Sequence, residues 1–366
     1  MTTPLGEMLR RRIAMAGPIS LADFMVEALG HPTLGYYRWP APIGAGGDFI
    51  TAPEISQMFG ELLGAWLADR WTAMGRPDPV RLVELGPGRG TAMVDALRAT
   101  RGVPGFHAAL RLHFIDLAPD RLPADNAQRL AAHAPSWHER IDDVPPGPLL
   151  LLANEFFDAL PVRQFQRTAA GWVERMVGLT PDGTALHLAL APGPSPFGAA
   201  LPHGSDPGAV AELSPVATSL AQRIGARLAR DGGWALILDY GHDGDRPGPS
   251  LQAVRAHRGA SVLDRPGETD LSAHVDFGAL ARAASAAGAR CFGPVGQGAF
   301  LCAIGMGERA TMLKRAASPA QASGIDAAFR RLIAPEAMGT LFRVLALAGA
   351  TGDSPPGFAA DAGAAA

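Results

Sequence analysis

Lysine is almost missing from this chain. Lys314 is the single one, and every other permanently charged basic side chain is arginine. The bias runs along the whole length, so it reflects genome composition rather than a phosphate-binding patch. A formal charge of −3 gives no electrostatic reason to expect nucleic acid. Cysteine is nearly as scarce. Cys291 and Cys302 have no metal-ligand spacing and are too few for a disulfide framework, which predicts buried free thiols in a reducing compartment. No stretch approaches the ~20 apolar residues of a membrane span. The N-terminal "MTTPLGEMLRRRIAMAG" is Arg-rich but has no apolar signal core. It reads as a first amphipathic helix, with a trimmed organelle-targeting remnant as the other reading. Aromatic residues make up only 7% of the chain, yet 48% is hydrophobic, which fits a globular protein. Its 366 residues suffice for one large or two ordinary domains.

The chain does contain a regular alternation of short apolar runs and helical patterns. "PISLADFMVEALG" predicts a helix capped by Ser20, with Asp23 near its positive end. A glycine-rich loop, "RWPAPIGAGGDFITAPE", leads into the helical "EISQMFGELLGAWLADRWTAMG". "VRLVEL" is a β-rich run that ends in "GPGRG" and then a helix from Thr91. "LRLHFIDL", "PLLLLAN" and "GWALILDYG" predict further strands, with helical stretches between them. The alternation implies an α/β fold with a doubly wound, mostly parallel sheet. "VRQFQRTAAGWVERMVGLTPDGTALHLALAPGP" interrupts it as a β-meander with turns at "TAAG" and "TPDGT". The C-terminal part predicts a helix at "FGALARAASAAG", a strand pair at "ARCFGPVG" and "AFLCAIGM", and a helical end from Met312 to Leu347.

Glu84, Gly86, Gly88 and Gly90 stand at a strand-to-helix turn. Glycines there let backbone approach a ligand without a Cβ clash. The G-x-G-x-G spacing is shorter than the G-x-G-x-x-G of dinucleotide folds. The preceding Glu84 would repel a pyrophosphate but attract an ammonium, which favours a ligand with an amino-acid end over NAD. Asp116 stands at the next strand end, the place for a carboxylate that grips ribose hydroxyls. Asp142 and Asp143 follow where a third strand ends, and either could accept from an adenine amino group. "ANEFFDALPV" places Asn154, Glu155 and Asp158 where a buried strand surfaces. Thr51 and Glu54 form the capping-box pattern T-A-P-E. "LDYGH" brings Asp239, Tyr240 and His242 to another strand end. His274 reads as part of a local helix start with Ser272 and Asp276. No spacing suggests a metal site.

These residues resemble the class I S-adenosylmethionine-dependent methyltransferases. More narrowly, "GYY", "GDFITAPEISQMFG", "ELGPGRG", "ANEFFDALPV", "LDYGH" and "GETDLSAHVDF" occur in the order of the MidA family, from about Ile19 to Leu347. Mitochondrial members of that family are regarded as protein arginine methyltransferases that assist assembly of respiratory complex I. The resemblance implies S-adenosylmethionine as cofactor and a partner protein, such as a complex I subunit, as substrate. It implies cofactor contacts at Glu84, Gly86, Pro87, Gly88, Gly90, Thr91, Asp116, Leu117, Asp142 and Asn154. It implies an arginine guanidinium held by Glu155 and Asp158, with His242 in reach for positioning or deprotonation. "FIDLAPD" departs from the family pattern, since Leu117 lacks the usual hydroxyl. A non-catalytic assembly factor with the same fold is the alternative, and an NAD-dependent oxidoreductase is disfavoured by the short glycine spacing.

The expected organisation is an N-terminal helical extension with a lid loop over residues 1–78, and a methyltransferase core over 79–310 with an insertion at about 162–230. A helical C-terminal cap over 311–350 and a disordered tail over 351–366 complete it. The expected location is the bacterial cytoplasm, or the mitochondrial matrix in a eukaryote.

Overall fold

A computed structural model describes residues 3–38, 51–117, 122–203, 205–244, 248–350 and 353–358. Most of the expected lid loop (39–50), the end of "FIDLAPD" with the residue after it (118–121) and most of the expected tail (351–352 and 359–366) lie outside the described residues. In chain order the elements are α1 (Pro4–Ala16), β1 (Ile19–Ser20), α2 (Leu21–Gly30), α3 (Ala52–Ile55), α4 (Gln57–Ala73), β2 (Val80–Leu85), α5 (Thr91–Ala99), α6 (Phe106–Ala109), β3 (Leu110–Ile115), α7 (Ala124–Leu130), β4 (Ser136–His138) and β5 (Leu149–Asn154). They continue with β6 (Arg163–Thr168), β7 (Gly171–Leu179), β8 (Leu186–Leu190), β9 (Val210–Leu213), α8 (Pro215–Asp231), β10 (Gly233–His242), β11 (Gln252–Arg255), β12 (Arg258–Ala260), β13 (Asp270–Ser272), β14 (Val275–Asp276), α9 (Phe277–Ala286), β15 (Arg290–Gly296), α10 (Gln297–Ala303), α11 (Met306–Lys314), α12 (Pro319–Ile333) and β16 (Phe342–Ala348).

The chain divides into two compact units. One gathers residues 1–49, 158–217 and 245–274. Its antiparallel sheet has the order β1-β7-β6-β9, with β8 added to β7, so the expected meander forms. Its turns use the predicted chemistry: Asp182 Oδ1 accepts from Thr180 Oγ1 at 2.5 Å and from the Thr184 amide at 3.1 Å. The Ser20 hydroxyl accepts from the Asp23 amide at 3.0 Å and starts α2. Leu5, Leu9, Phe24, Met25 and Val177 form the core of this unit. A small second sheet, β12-β11-β13, belongs to it as well.

The other unit gathers residues 50–157, 218–244 and 275–366. Its sheet has the order β15-β16-β10-β5-β2-β3-β4, and β14 pairs with the end of β10. β4, β3, β2, β5 and β10 run parallel, while β16 runs antiparallel between β10 and β15. Leu149 to Leu152 are completely buried, as expected of a central parallel strand covered on both faces. From β2 the chain moves outward to β3 and β4, then crosses to β5 on the other side. β2 and β5 therefore flank the switch point, where α/β sheets bind ligands beyond the strand carboxyl ends.

Four expectations about organisation need correction. The boundary between extension and core falls near residue 50, not 78, because α4 packs Phe59, Leu63 and Trp66 into the core beside α5. "AFLCAIGM" is not a strand; its first part forms α10, which buries Phe300 and Leu301 and exposes Cys302. The strand beside β15 is instead β16, inside the region expected to be helical. Both errors come from short apolar runs, where periodicity cannot separate a buried strand from a buried helix. Finally, part of the expected disordered tail is packed. Phe358 is 8% exposed with its ring centroid 5.5 Å from that of Phe300, and the Trp66 indole N–H donates to the Pro356 carbonyl at 3.0 Å. Both cysteines are free thiols, but Cys302 is exposed rather than buried. Among the described residues no helix is long and apolar enough to cross a membrane, and no group of three or more His, Cys, Asp or Glu could hold a metal.

Candidate active site

Two turns leave the sheet at the switch point. The first follows β2. Gly86, Gly88 and Gly90 have φ of 59°, 52° and 73°, a left-handed path that side chains resist. The Gly86 amide donates to the Ile115 carbonyl at 2.9 Å, and the Gly90 amide to that of Pro87 at 2.7 Å. Gly90 caps α5 without a side-chain acceptor, so Thr91 starts a helix whose first amide groups face the turn. Glu84, one residue before the end of β2, is 3% exposed and its Oε2 has no hydrogen-bond partner. Burial raises its pKa from 4.5 to about 8. An orphaned buried carboxylate oxygen is costly, and a cationic or N–H-bearing ligand end is the chemistry that would satisfy it. The donor set thus fits an amino-acid ammonium.

Asp116 follows β3, and its amide donates to the His138 carbonyl at 3.1 Å. Leu117 beside it is 61% exposed. Asp142 and Asp143 lie in a 3₁₀ turn after β4, and both are exposed. The Asp142 carboxylate is committed to Arg223 on α8, with Arg140 at 3.6 Å, so the structure gives no support to its reading as the adenine acceptor. Charge pairing explains that orientation, since a solvated acid between two guanidinium groups turns toward them.

The second turn follows β5. The ladder between β5 and β10 ends at Leu238 and Asn154, and the Glu155 amide still reaches the Leu238 carbonyl at 2.9 Å. Glu155 itself has φ of 49°, which is uncommon for a residue with a side chain. From there its Oε1 accepts from the Ala52 amide at 2.9 Å and from Asn154 Nδ2 at 3.2 Å. Glu155 therefore caps α3. The expected T-A-P-E box does not form, because Thr51 makes no side-chain cap bond. Glu54 instead leaves α3 for the glycine turn, where its Oε1 accepts from the Thr91 hydroxyl at 2.5 Å and its Oε2 lies 3.6 Å from Arg89 Nε. Phe157 is buried, and the Phe156 ring stands at 82° to it with 5.7 Å between centroids. A Cβ on Gly86 would meet Phe156 Cδ2 at 2.7 Å, so the two turns are in contact.

His242 ends β10, where its Nδ1 accepts from the Gly244 amide at 3.1 Å. That tautomer carries its proton on Nε2, so the imidazole is set up to donate rather than to act as a base. Asp158 opens the other compact unit, and its carbonyl accepts from the Ala273 amide at 2.9 Å. Asp276 caps α9 through the Ala279 amide at 2.8 Å, as the local reading of "SAHVDF" predicted. Sequence reasoning gave Asp239 no role. It is completely buried; its Oδ2 accepts from the Phe156 amide at 3.1 Å and the Phe157 amide at 2.9 Å, and its Oδ1 from the Tyr240 amide at 3.0 Å. The available signal was a lone acid closing the apolar run "WALILD".

Comparison with known proteins converges on the same chemistry. Residues 62–295 match the family described as "putative S-adenosyl-L-methionine-dependent methyltransferase". The zebrafish (Danio rerio) "protein arginine methyltransferase NDUFAF7, mitochondrial" is 37% identical over 92% of this chain and 84% of its own. The human (Homo sapiens) protein of that name is 35% identical over 94% of this chain and 83% of its own. The crystal structure of a "likely methyl transferase" from Burkholderia thailandensis bound to S-adenosyl-homocysteine superposes with a TM-score of 0.85 at 30% identity, covering 97% of this chain and 94% of that one. The glycine turn, the motif order and these relatives together establish that the chain belongs to the MidA family of S-adenosylmethionine-dependent methyltransferases.

Proposed function

We propose that this enzyme methylates arginine on a partner protein and that the turn after β5 receives the acceptor. The observation that carries the reading is the contact between the two turns: the ring of Phe156 lies against Gly86 of the cofactor turn. The relatives named as protein arginine methyltransferases supply the acceptor type. Bound S-adenosylmethionine supplies an electrophilic methyl group on a sulfonium. Glu84 would hold its ammonium, the backbone from Gly86 to Thr91 would cradle the amino-acid end, Asp116 would accept from ribose hydroxyls, and Asn154 and Leu117 would border the site.

The leaving group is already good, so the protein contributes proximity, orientation and exclusion of water. Glu155 would accept the N–H groups of a guanidinium and offset its charge. The aromatic ring of Phe156 would pack on the guanidinium plane. Asp142 and His242 are left out of this assignment, the first because it pairs with Arg223 and the second because its Nδ1 is occupied. A respiratory complex I subunit is the first candidate partner, in a bacterial cytoplasm or in the mitochondrial matrix that the relatives' names suggest.

The test is incubation with S-adenosylmethionine labelled on its methyl group and a lysate of the source cell, followed by identification of the labelled residue. Label on arginine of a discrete protein is expected, and label on lysine or a small molecule alone would overturn the reading. Glu155→Gln should retain cofactor binding and lose roughly ten- to a hundred-fold in transfer, as expected for loss of a charge-assisted bond.

A further inference from the structure

A left-handed φ at a residue with a side chain is strained and persists only where its surroundings over-determine it. At Glu155 the over-determining group can be named. The β5–β10 ladder supplies backbone acceptors as far as the Glu155 amide, and the next two amides, Phe156 and Phe157, point where no strand runs. Both are taken by one carboxylate oxygen of Asp239, whose other oxygen is held by the Tyr240 amide. A completely buried carboxylate would be expensive without these donors. With them it replaces the missing strand and turns the chain back at Glu155. In that conformation the Glu155 carboxylate reaches the Ala52 amide and caps α3, the helix whose Glu54 grips Thr91 of the cofactor turn.

We propose that Asp239 is a positioning residue for methyl transfer: its carboxylate fixes the left-handed turn that aims Glu155, without touching cofactor or acceptor. The proposal rests on the reading of the β5 turn as the acceptor site. An amide at this position keeps the shape but offers one acceptor oxygen where three amides need two, and it sets an NH₂ against a backbone N–H. Asp239→Asn should therefore release the turn.

The experiment is a double-mutant cycle on the full chain with Asp239→Asn, Glu155→Ala and the double variant, reading kcat for protein methylation and S-adenosylhomocysteine affinity. Asp239→Asn should lower kcat at least about tenfold while affinity stays within about threefold. The double variant should be no slower than Glu155→Ala alone, because both changes remove one placement. Losses that multiply would mark Asp239 as merely structural and overturn the proposal, as would full activity of Asp239→Asn. Full activity of Glu155→Ala would instead sink the acceptor reading and the proposal with it. Should Asp239→Asn fail to fold, hydrogen exchange on the wild-type protein decides. The Phe156 and Phe157 amides should be among the slowest to exchange, and exchange at loop rates would overturn the clamp.

Discussion

Two neighbouring turns do related work by opposite means. The turn after β2 takes its left-handed path from residue type, since three glycines in five positions adopt it without a steric penalty. The turn after β5 takes a left-handed φ at a glutamate, and a buried acid 84 positions further on holds it there. One conformation is local and needs no partner. The other is imposed by tertiary structure, and the strain lets a carboxylate, rather than a bare glycine, stand at the bend. The first turn offers backbone amides beside the side chains of Glu84 and Asp116, whereas the proposed acceptor turn depends on a charged side chain held in a fixed direction.

The comparison is broken most severely by removing a glycine. Gly86→Val places a branched side chain at φ of 59° and into the ring of Phe156. Binding of S-adenosylhomocysteine, measured by calorimetry, should fall about a hundredfold or more, combining backbone strain with lost approach. Retained affinity would mean that the turn does not carry the cofactor.

Next in size is the pH response of Glu84. Burial keeps its carboxyl protonated in the free protein up to about pH 8, whereas the unfolded chain titrates near 4.5. A ligand ammonium favours the carboxylate, so binding should release a proton. Affinity should rise as pH goes from about 6 to about 8, by at most about tenfold per unit. Stability of the free protein should move the other way. The unfolded acid gives up its proton above 4.5 while the folded one keeps it until about 8, so stability falls as pH rises through that window. Glu84→Gln should flatten both trends; an unchanged pH profile in that variant would assign them to another group.

The two means can be exchanged at Glu155. Glu155→Gly and Glu155→Ala both remove the carboxylate and should both slow methyl transfer about tenfold or more. They should differ in stability. Glycine suits φ of 49° and alanine does not, so the glycine variant should unfold with about 1 kcal/mol more resistance in denaturant titration. Equal stability would show that the turn relaxes once the side chain is gone. The smallest effect is expected at Glu54→Gln. The amide oxygen can still accept from Thr91, while the partly exposed pairing with Arg89 is lost. Cofactor affinity should weaken only about threefold, in keeping with a partly solvated ion pair.

Much of this contrast was legible in the sequence, and its limits follow the same line. "ELGPGRG" could be read directly because glycine spacing encodes a backbone path, and the parallel strands could be read because Leu149 to Leu152 need burial on both faces. "NEFFD" could be located but not shaped. Its Glu155 reads as a group for the acceptor, whereas it also caps α3; Asp142, which reads as the adenine contact, is paired with Arg223. Those contacts join residues 103 and 81 positions apart in the chain, beyond any local pattern. β16 was missed for the related reason that a strand inserted between β10 and β15 is recognised by its neighbours, and its own apolar run resembles a buried helix.

The division of labour between the turns is tested most directly by single-turnover methyl transfer from Asp239→Asn enzyme at saturating labelled S-adenosylmethionine. Saturation removes any contribution of cofactor affinity, so the rate reports the acceptor turn alone. The rate should remain at least about tenfold below wild type however much cofactor is added. A rate equal to wild type at saturation would contradict the account.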